Sequence, residues 1–266
     1  RRRDVVLAHA TPAERLASPY YLGGTVGRYA NRIRDGHLVV GDRTCRLPTN
    51  DRGNTLHGGP DGFDRRLWSL EDWSHDHASF ALASPDGDMG FPGAVSAVAT
   101  YSLVDATRLR VEYTAVTDAP TVVNLTNHAY VNLAGHPGTI DDHLLQVRAS
   151  SYLPVDATGI PLGSAASVEG TAFDLTAPRR LGAVVRQPHP QLVAAQGIDH
   201  NYVLDPGGPA AVLSCPGARL EMTLTTTEPG LQVYTGNFLD GTLAASSGAL
   251  LRQGDGIALE PQRFPD

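Results

Sequence analysis

The sequence predicts an all-β chain, a sandwich or barrel of many short strands with few short helices. Two patterns carry that expectation. Apolar residues recur with a period of two rather than 3.6, and clusters of Pro, Gly and Asp interrupt the chain between the alternating runs. With 28 Gly and 19 Pro spread along 266 residues, long helices have little room.

In order, Asp4-Val5-Val6-Leu7 reads as a strand, and residues 63–68 as a short helical turn. A β-rich run over 95–104 follows the turn signals Pro85-Asp86-Gly87-Asp88 and Pro92-Gly93. Leu109, Val111, Tyr113 and Ala115 then alternate with Arg110, Glu112 and Thr114, the pattern of a strand buried on one face. Further runs cover 122–126, 144–147, 202–204 and 231–234, with a second helical turn near 181–186. Leu220, Met222 and Leu224 alternate with Glu221, Thr223 and Thr225. No internal repeat or linker divides the chain, so residues 1–266 are expected to form a single domain.

Composition removes several function classes. A net charge of −7 argues against a nucleic-acid surface, which needs clustered cations. No apolar run approaches the ~20 residues that cross a bilayer, and Arg1-Arg2-Arg3 reads as a solvated end. All 21 basic residues are arginine, which excludes a Schiff-base enzyme or a P-loop with its lysine. Cys45 and Cys215 have no CxxC spacing; a reducing cytoplasm fits them best, and a single disulfide between them stays open. The expected partner is a small molecule, with neither nucleic acid nor membrane, and the protein is expected to be a monomer or homodimer.

The sequence has no G-x-S-x-G elbow, H-E-x-x-H helix or dinucleotide-binding glycine signature. His75-Asp76-His77 lacks an evident third ligand and reads as a solvated edge. Three stretches, however, are polar where a plain strand would be apolar. One is Gly27-Arg28-Tyr29-Ala30-Asn31-Arg32-Ile33 with Asn54-Thr55-Leu56-His57-Gly58-Gly59 and Gly62-Phe63-Asp64. Another is Asn124-Leu125-Thr126-Asn127-His128-Ala129-Tyr130, where Asn124, Thr126 and His128 share a side if the strand continues. The last is Gly256-Ile257-Ala258-Leu259-Glu260-Pro261-Gln262. Alone, His128 reads as a hydrogen-bonded core histidine and Glu260 as a strand-end carboxylate.

Together these stretches resemble the galactose mutarotase (aldose 1-epimerase) family. Further pieces follow in family order: Asp86 to Gly93, Asn132-Leu133-Ala134-Gly135, Tyr152 to Asp156, Gly170 to Asp174, Gly197-Ile198-Asp199-His200-Asn201 and Tyr234-Thr235-Gly236-Asn237-Phe238. The resemblance implies a large twisted antiparallel β-sandwich (a supersandwich) with a sugar cleft across one concave sheet. It implies an isomerase that interconverts the α and β anomers of a free hexose, galactose or glucose. Glu260 is then the general base and His128 the general acid, with Asn31, Arg32, His57, Asp199 and Gln232 as sugar-hydroxyl ligands. Such ring opening and reclosure requires no metal or other cofactor. Because His128 has to be protonated to donate, an anionic neighbour, Asp199 or Glu260, is expected to raise its pKa. Two departures stand out: Val131 replaces a usual aromatic, and the family carries further strands before Asp4 and more chain after Pro265.

Rival readings need features of their own. A glycoside hydrolase or lyase on a related sandwich would require a second catalytic carboxylate, for which Asp199 is the one candidate. A non-catalytic sugar-binding module would have no reason to keep both His128 and Glu260. A hexose-phosphate epimerase would need a cationic pocket beyond Arg32.

Overall fold

The computed structural model describes residues 3–135 and 137–266. Arg1, Arg2 and His136 lie outside the described residues, and with the first two the reading of the basic start as a solvated end. Among the described residues the chain is mostly antiparallel strand, with α-helices only at Pro12–Ala17, Leu181–Val185 and Pro190–Ala195. No helix among them is long and apolar enough to cross a membrane. Two compact units are formed, Thr25–Thr126 and the pair of segments Arg1–Gly24 and Asn127–Asp266.

The larger unit is a sandwich. A six-stranded sheet runs in the order Tyr130–Val131, Ile257–Gln262, Gly230–Tyr234, Asp199–Val203, Ser151–Tyr152, Ala166–Ser167. A four-stranded sheet runs Arg179–Arg180, Leu144–Val147, Ala211–Cys215, Leu220–Leu224. Val131, Leu231, Val233, Ile257 and Leu259 of the first sheet share a buried core with Leu145, Val147, Ala211, Leu213 and Cys215 of the second. That shared apolar face is what the period of two builds, and burying a side chain of this size contributes about 1.5–3 kcal/mol. Val5, Val6 and Leu7 flank the outer strand through one bridge, Val6 to Val131, rather than as a full strand.

In the smaller unit a four-stranded meander, Ser69–Trp73, His77–Ser84, Val95–Asp105 and Arg108–Thr117, stands beside a hairpin of His37–Val40 with Arg43–Arg46. Phe63, Leu82, Val95, Ala97 and Leu125 pack one core, and Ile33, Leu47 and Phe91 another. The expected strand over Leu109 to Ala115 is present, but not buried on one face. It is the meander's edge, where Leu109 is 60% exposed and only Val111 and Tyr113 are half-covered. Alternation reported the pleat; coverage depends on what packs against it.

The helical turns expected near 63–68 and 181–186 appear as Phe63–Arg65, a 3₁₀ turn, and Leu181–Val185. The Pro12–Ala17 helix was not foreseen. Thr11 and Glu14 close a capping box there, Glu14 N donating to the Thr11 hydroxyl (3.2 Å) and Thr11 N to the Glu14 carboxylate (2.9 Å). Cys45 and Cys215 are both free thiols.

Candidate active site

Glu260 pairs across the six-stranded sheet with Gln232, and Gln232 with Asn201. Directly opposed residues project to the same face, so these three lie on one side with Tyr234 and Asp199, while Leu259, Val233 and His200 point to the other. The second side is the apolar core. The first is polar and nonetheless buried: Glu260 is 2% exposed, Gln232 4% and Gln262 0%. Gln232 donates through Nε2 to Asp199 Oδ1 at 2.7 Å, and Gln262 Nε2 reaches Asn201 Oδ1 at 3.4 Å. Among the described residues the buried Oε1 atoms of Gln232 and Gln262 have no hydrogen-bond partner. Buried acceptors without partners are rare, and a polyhydroxylated ligand would satisfy them.

Two local features make this row possible. A Cβ on Gly230, opposite Gln262, would lie 2.8 and 2.9 Å from the Asn201 amide, so glycine leaves room for Asn201 to lean toward Gln262. Pro261 donates no backbone hydrogen bond, and it sits beyond Ile257 and Ala258, where the Tyr130–Val131 strand no longer flanks its own.

His128 does not continue a strand with Asn124 and Thr126. The Thr126–Asn127 strand stops one residue earlier, and His128 instead exchanges backbone hydrogen bonds with a loop, Gly23 N to His128 O (2.9 Å) and His128 N to Gly24 O (2.8 Å). Its Nε2 comes to 3.6 Å from Glu260 Oε1, an ion-pair distance too long for a direct hydrogen bond. The rings of Tyr21, Tyr130 and Tyr234 surround the imidazole at centroid distances of 5.7, 5.0 and 6.3 Å.

This enclosure reverses the shift expected for His128. Burial pushes the His128 imidazole down to about 4, and Arg15 adds to the effect. A backbone hydrogen bond works in the opposite direction, and desolvation outweighs it. Burial likewise holds the Tyr130 phenol well above its ordinary value.

The smaller unit assembles Asn31, Arg32 and His57. Asn31 and His57 both adopt left-handed backbone, φ 66° and 54°. They bond reciprocally, Asn31 N donating to His57 Nδ1 (3.1 Å) and His57 N to Asn31 O (3.0 Å). An Nδ1 that accepts places the neutral ring's proton on Nε2, leaving that edge as a donor. The Asn31 Oδ1 accepts from Arg32 N (2.9 Å), and Arg32 Nε is fixed 2.8 Å from Asp51 Oδ2. Arg28, by contrast, is structural: its buried guanidinium donates to the carbonyls of Ser84, Pro85, Pro92 and Gly93.

Other matching pieces are also scaffolding. The Thr235 hydroxyl accepts from Ile198 N (3.0 Å), and Asn237 Nδ2 donates to Ile198 O (3.0 Å), which anchors the residue before Asp199. Asn132 ties Gly138 O and Asp255 O. His77 has both ring nitrogens engaged within its own hairpin, by Asp72 (2.8 Å) and Ser74 (2.7 Å). The sequence reading assigned no role to Tyr130, Tyr234, Asn201 or Gln262, although its motifs contain them, and Tyr21 lay outside those motifs. Tyr130, two residues after His128, and Gln262, two after Glu260, carried a signal in their spacing; Tyr21 carried none.

The sequence model of the aldose 1-epimerase family matches residues 1–266. Human galactose mutarotase is 42% identical to this chain over 271 residues, covering 100% of it and 77% of the human protein. Aldose 1-epimerase of Escherichia coli K12 is 37% identical over 268 residues, covering 99% of this chain and 77% of its own length. Among solved structures, a galactose 1-epimerase from Lactobacillus acidophilus superposes with a TM-score of 0.89 at 34% identity, covering 99% of this chain and 77% of that one. An aldose epimerase homologue from C. elegans superposes with a TM-score of 0.90 at 28% identity, covering 98% and 78%.

Proposed function

The chain belongs to the aldose 1-epimerase family and is an isomerase of the anomeric centre, and from that premise we propose that Glu260 is its base, His128 its acid and a free hexose such as galactose or glucose its substrate. The observation that carries the assignment is the buried pair itself, 3.6 Å between the Nε2 of His128 and the Oε1 of Glu260, the latter on a polar sheet face.

Glu260 takes the proton from the anomeric hydroxyl O1. The C1–O1 double bond forms, the C1–O5 bond breaks with its electron pair on O5, and O5 takes the proton of the His128 imidazolium. The open aldehyde rotates about C1–C2. His128 then takes the O5 proton back, O5 attacks the other face of C1, and O1 is reprotonated by Glu260. Charge and protons return to where they began. Asp199, Gln232, Asn31, Arg32 and His57 are the proposed ligands of the sugar hydroxyls; charge-assisted hydrogen bonds suit that positioning. In this reading residues 1–266 act as one catalytic domain, as a monomer or homodimer in a reducing cytoplasm.

Polarimetry on freshly dissolved α-D-glucose and α-D-galactose tests the proposal. Glu260→Gln keeps the shape and removes the proton acceptor, so kcat is expected to fall by ~10²-fold or more while sugar binding weakens much less. A Glu260→Gln enzyme with near-normal turnover would remove Glu260 from the mechanism. Release of reducing ends from a glycoside by the wild type would favour the hydrolase reading instead.

A further inference from the structure

Tyr21 stacks on the His128 imidazole, with the planes 28° apart. Tyr130 offers a second ring, tilted by 34°, and Tyr234 meets the imidazole edge-on at 71°. The Tyr130 hydroxyl donates to Tyr20 O (3.0 Å), and the Tyr234 hydroxyl accepts from Phe238 N (2.9 Å), so both of those rings are fixed from the sheet. Tyr21 is fixed from its loop. It holds φ 58°, a left-handed conformation that costs a bulky residue free energy. Gly24 N bonds back to Tyr21 O (2.9 Å), and the neighbouring Gly23 and Gly24 make the two backbone bonds to His128. A strained backbone, sewn on both sides to the residue beneath its side chain, delivers one half-exposed ring to one imidazole.

We propose that Tyr21 is a positioning residue for the acid: its ring fixes the plane of the His128 imidazole beside Glu260 and favours the imidazolium over the neutral ring. The inference rests on His128 being the acid. The physical basis is the negative π face of a tyrosine, which attracts a cation within about 6 Å of its centroid. Within the same unit the other groups facing His128 are Glu260 at 3.6 Å, whose carboxylate form favours a cation, Arg15 of the Pro12–Ala17 helix, which opposes it, the Tyr130 phenol, which burial holds well above its ordinary value, and the ring of Tyr234. Asp199 is sensed by Tyr130. Of the three rings only Tyr21 lies outside the sheet, so it can be removed without opening the core.

Tyr21→Asn removes the ring while keeping a residue that tolerates left-handed backbone, and Tyr21→Phe keeps the ring without the hydroxyl. The experiment is the pH dependence of kcat and KM by polarimetry for wild type, both variants and His128→Asn. For Tyr21→Asn, kcat at neutral pH is expected to fall about tenfold, with the alkaline limb of kcat about one pH unit lower and KM within about twofold. Tyr21→Phe is expected to match wild type. An unmoved alkaline limb in Tyr21→Asn overturns the proposal. So does a raised KM with normal kcat, which would make Tyr21 a sugar contact, or a Tyr21→Phe enzyme that behaves like Tyr21→Asn. Full activity in His128→Asn overturns the acid assignment itself, and it is read on a separate sample from the Tyr21 variants.

Discussion

At pH 7 an imidazole that titrates at about 4 carries its proton in about one molecule in a thousand, whereas the ring opening derived for His128 needs the charged form. The bound sugar has to change that balance, because only the imidazolium can pass a proton to the ring oxygen and be left as a neutral ring. Raising the pH removes the proton, so kcat/KM, which reports the free enzyme, should decline from about pH 4 upward, while kcat holds to higher pH in the complex. Sugar binding near pH 6.5 should therefore take up about one proton, measurable as a calorimetric heat that differs between buffers of different ionisation enthalpy. A heat independent of buffer would mean that His128 is not charged on binding. The motif around His128 was enough to single out the residue, but not the direction of its shift. The rings that dehydrate it arrive from positions 21, 130 and 234, and no local pattern joins those three numbers.

Single strands and loops show the same division. The strand around Glu260 was legible because Ile257, Leu259 and Val233 must face a core, which fixes Glu260 and Gln232 on the opposite side. The two-residue strands Tyr130–Val131, Ser151–Tyr152 and Ala166–Ser167 are too short for any period to mark. The Pro12–Ala17 helix did have a local signature in Thr11 and Glu14, and the apolar alternation drew attention away from it. The His57 loop is the most constrained of these elements. A Cβ on Gly58, at φ 89°, would lie 2.0 Å from Gly27 O. Gly58→Ala should cost more than about 1 kcal/mol of stability and, by shifting His57, raise KM more than it lowers kcat. A variant with wild-type melting temperature and KM would show that the loop yields without moving its histidine.

Across the whole chain the sandwich of the larger unit followed from alternation and turns, and the exposed edge of the smaller unit's meander did not, since sequence does not say what covers a face. Stability should carry the mark of the buried histidines. Burial holds His200 at about 3 and His128 at about 4, below the ~6.5 of an unfolded imidazole. Between those values the unfolded chain binds more protons, so stability is full above about pH 6.5 and is lost as pH falls toward 4, by up to about tenfold in the folding equilibrium per pH unit and histidine. Melting temperatures at pH 7.5 and 5.0 check this, and equal values would contradict it. The chain's two tryptophans, Trp68 and Trp73, both lie in the Thr25–Thr126 unit, the first against Phe63 and the second 70% exposed. Red-edge excited emission is therefore a private reporter of the unit that carries Asn31, Arg32 and His57, silent about the unit that carries His128 and Glu260. Tyrosine circular dichroism is weighted to the other unit, which holds six of the chain's nine tyrosines. Denaturant curves by the two signals should superimpose if the halves unfold as one cooperative body, and an early tryptophan transition would leave the sheet of Glu260 standing after the Asn31 and His57 loops have melted.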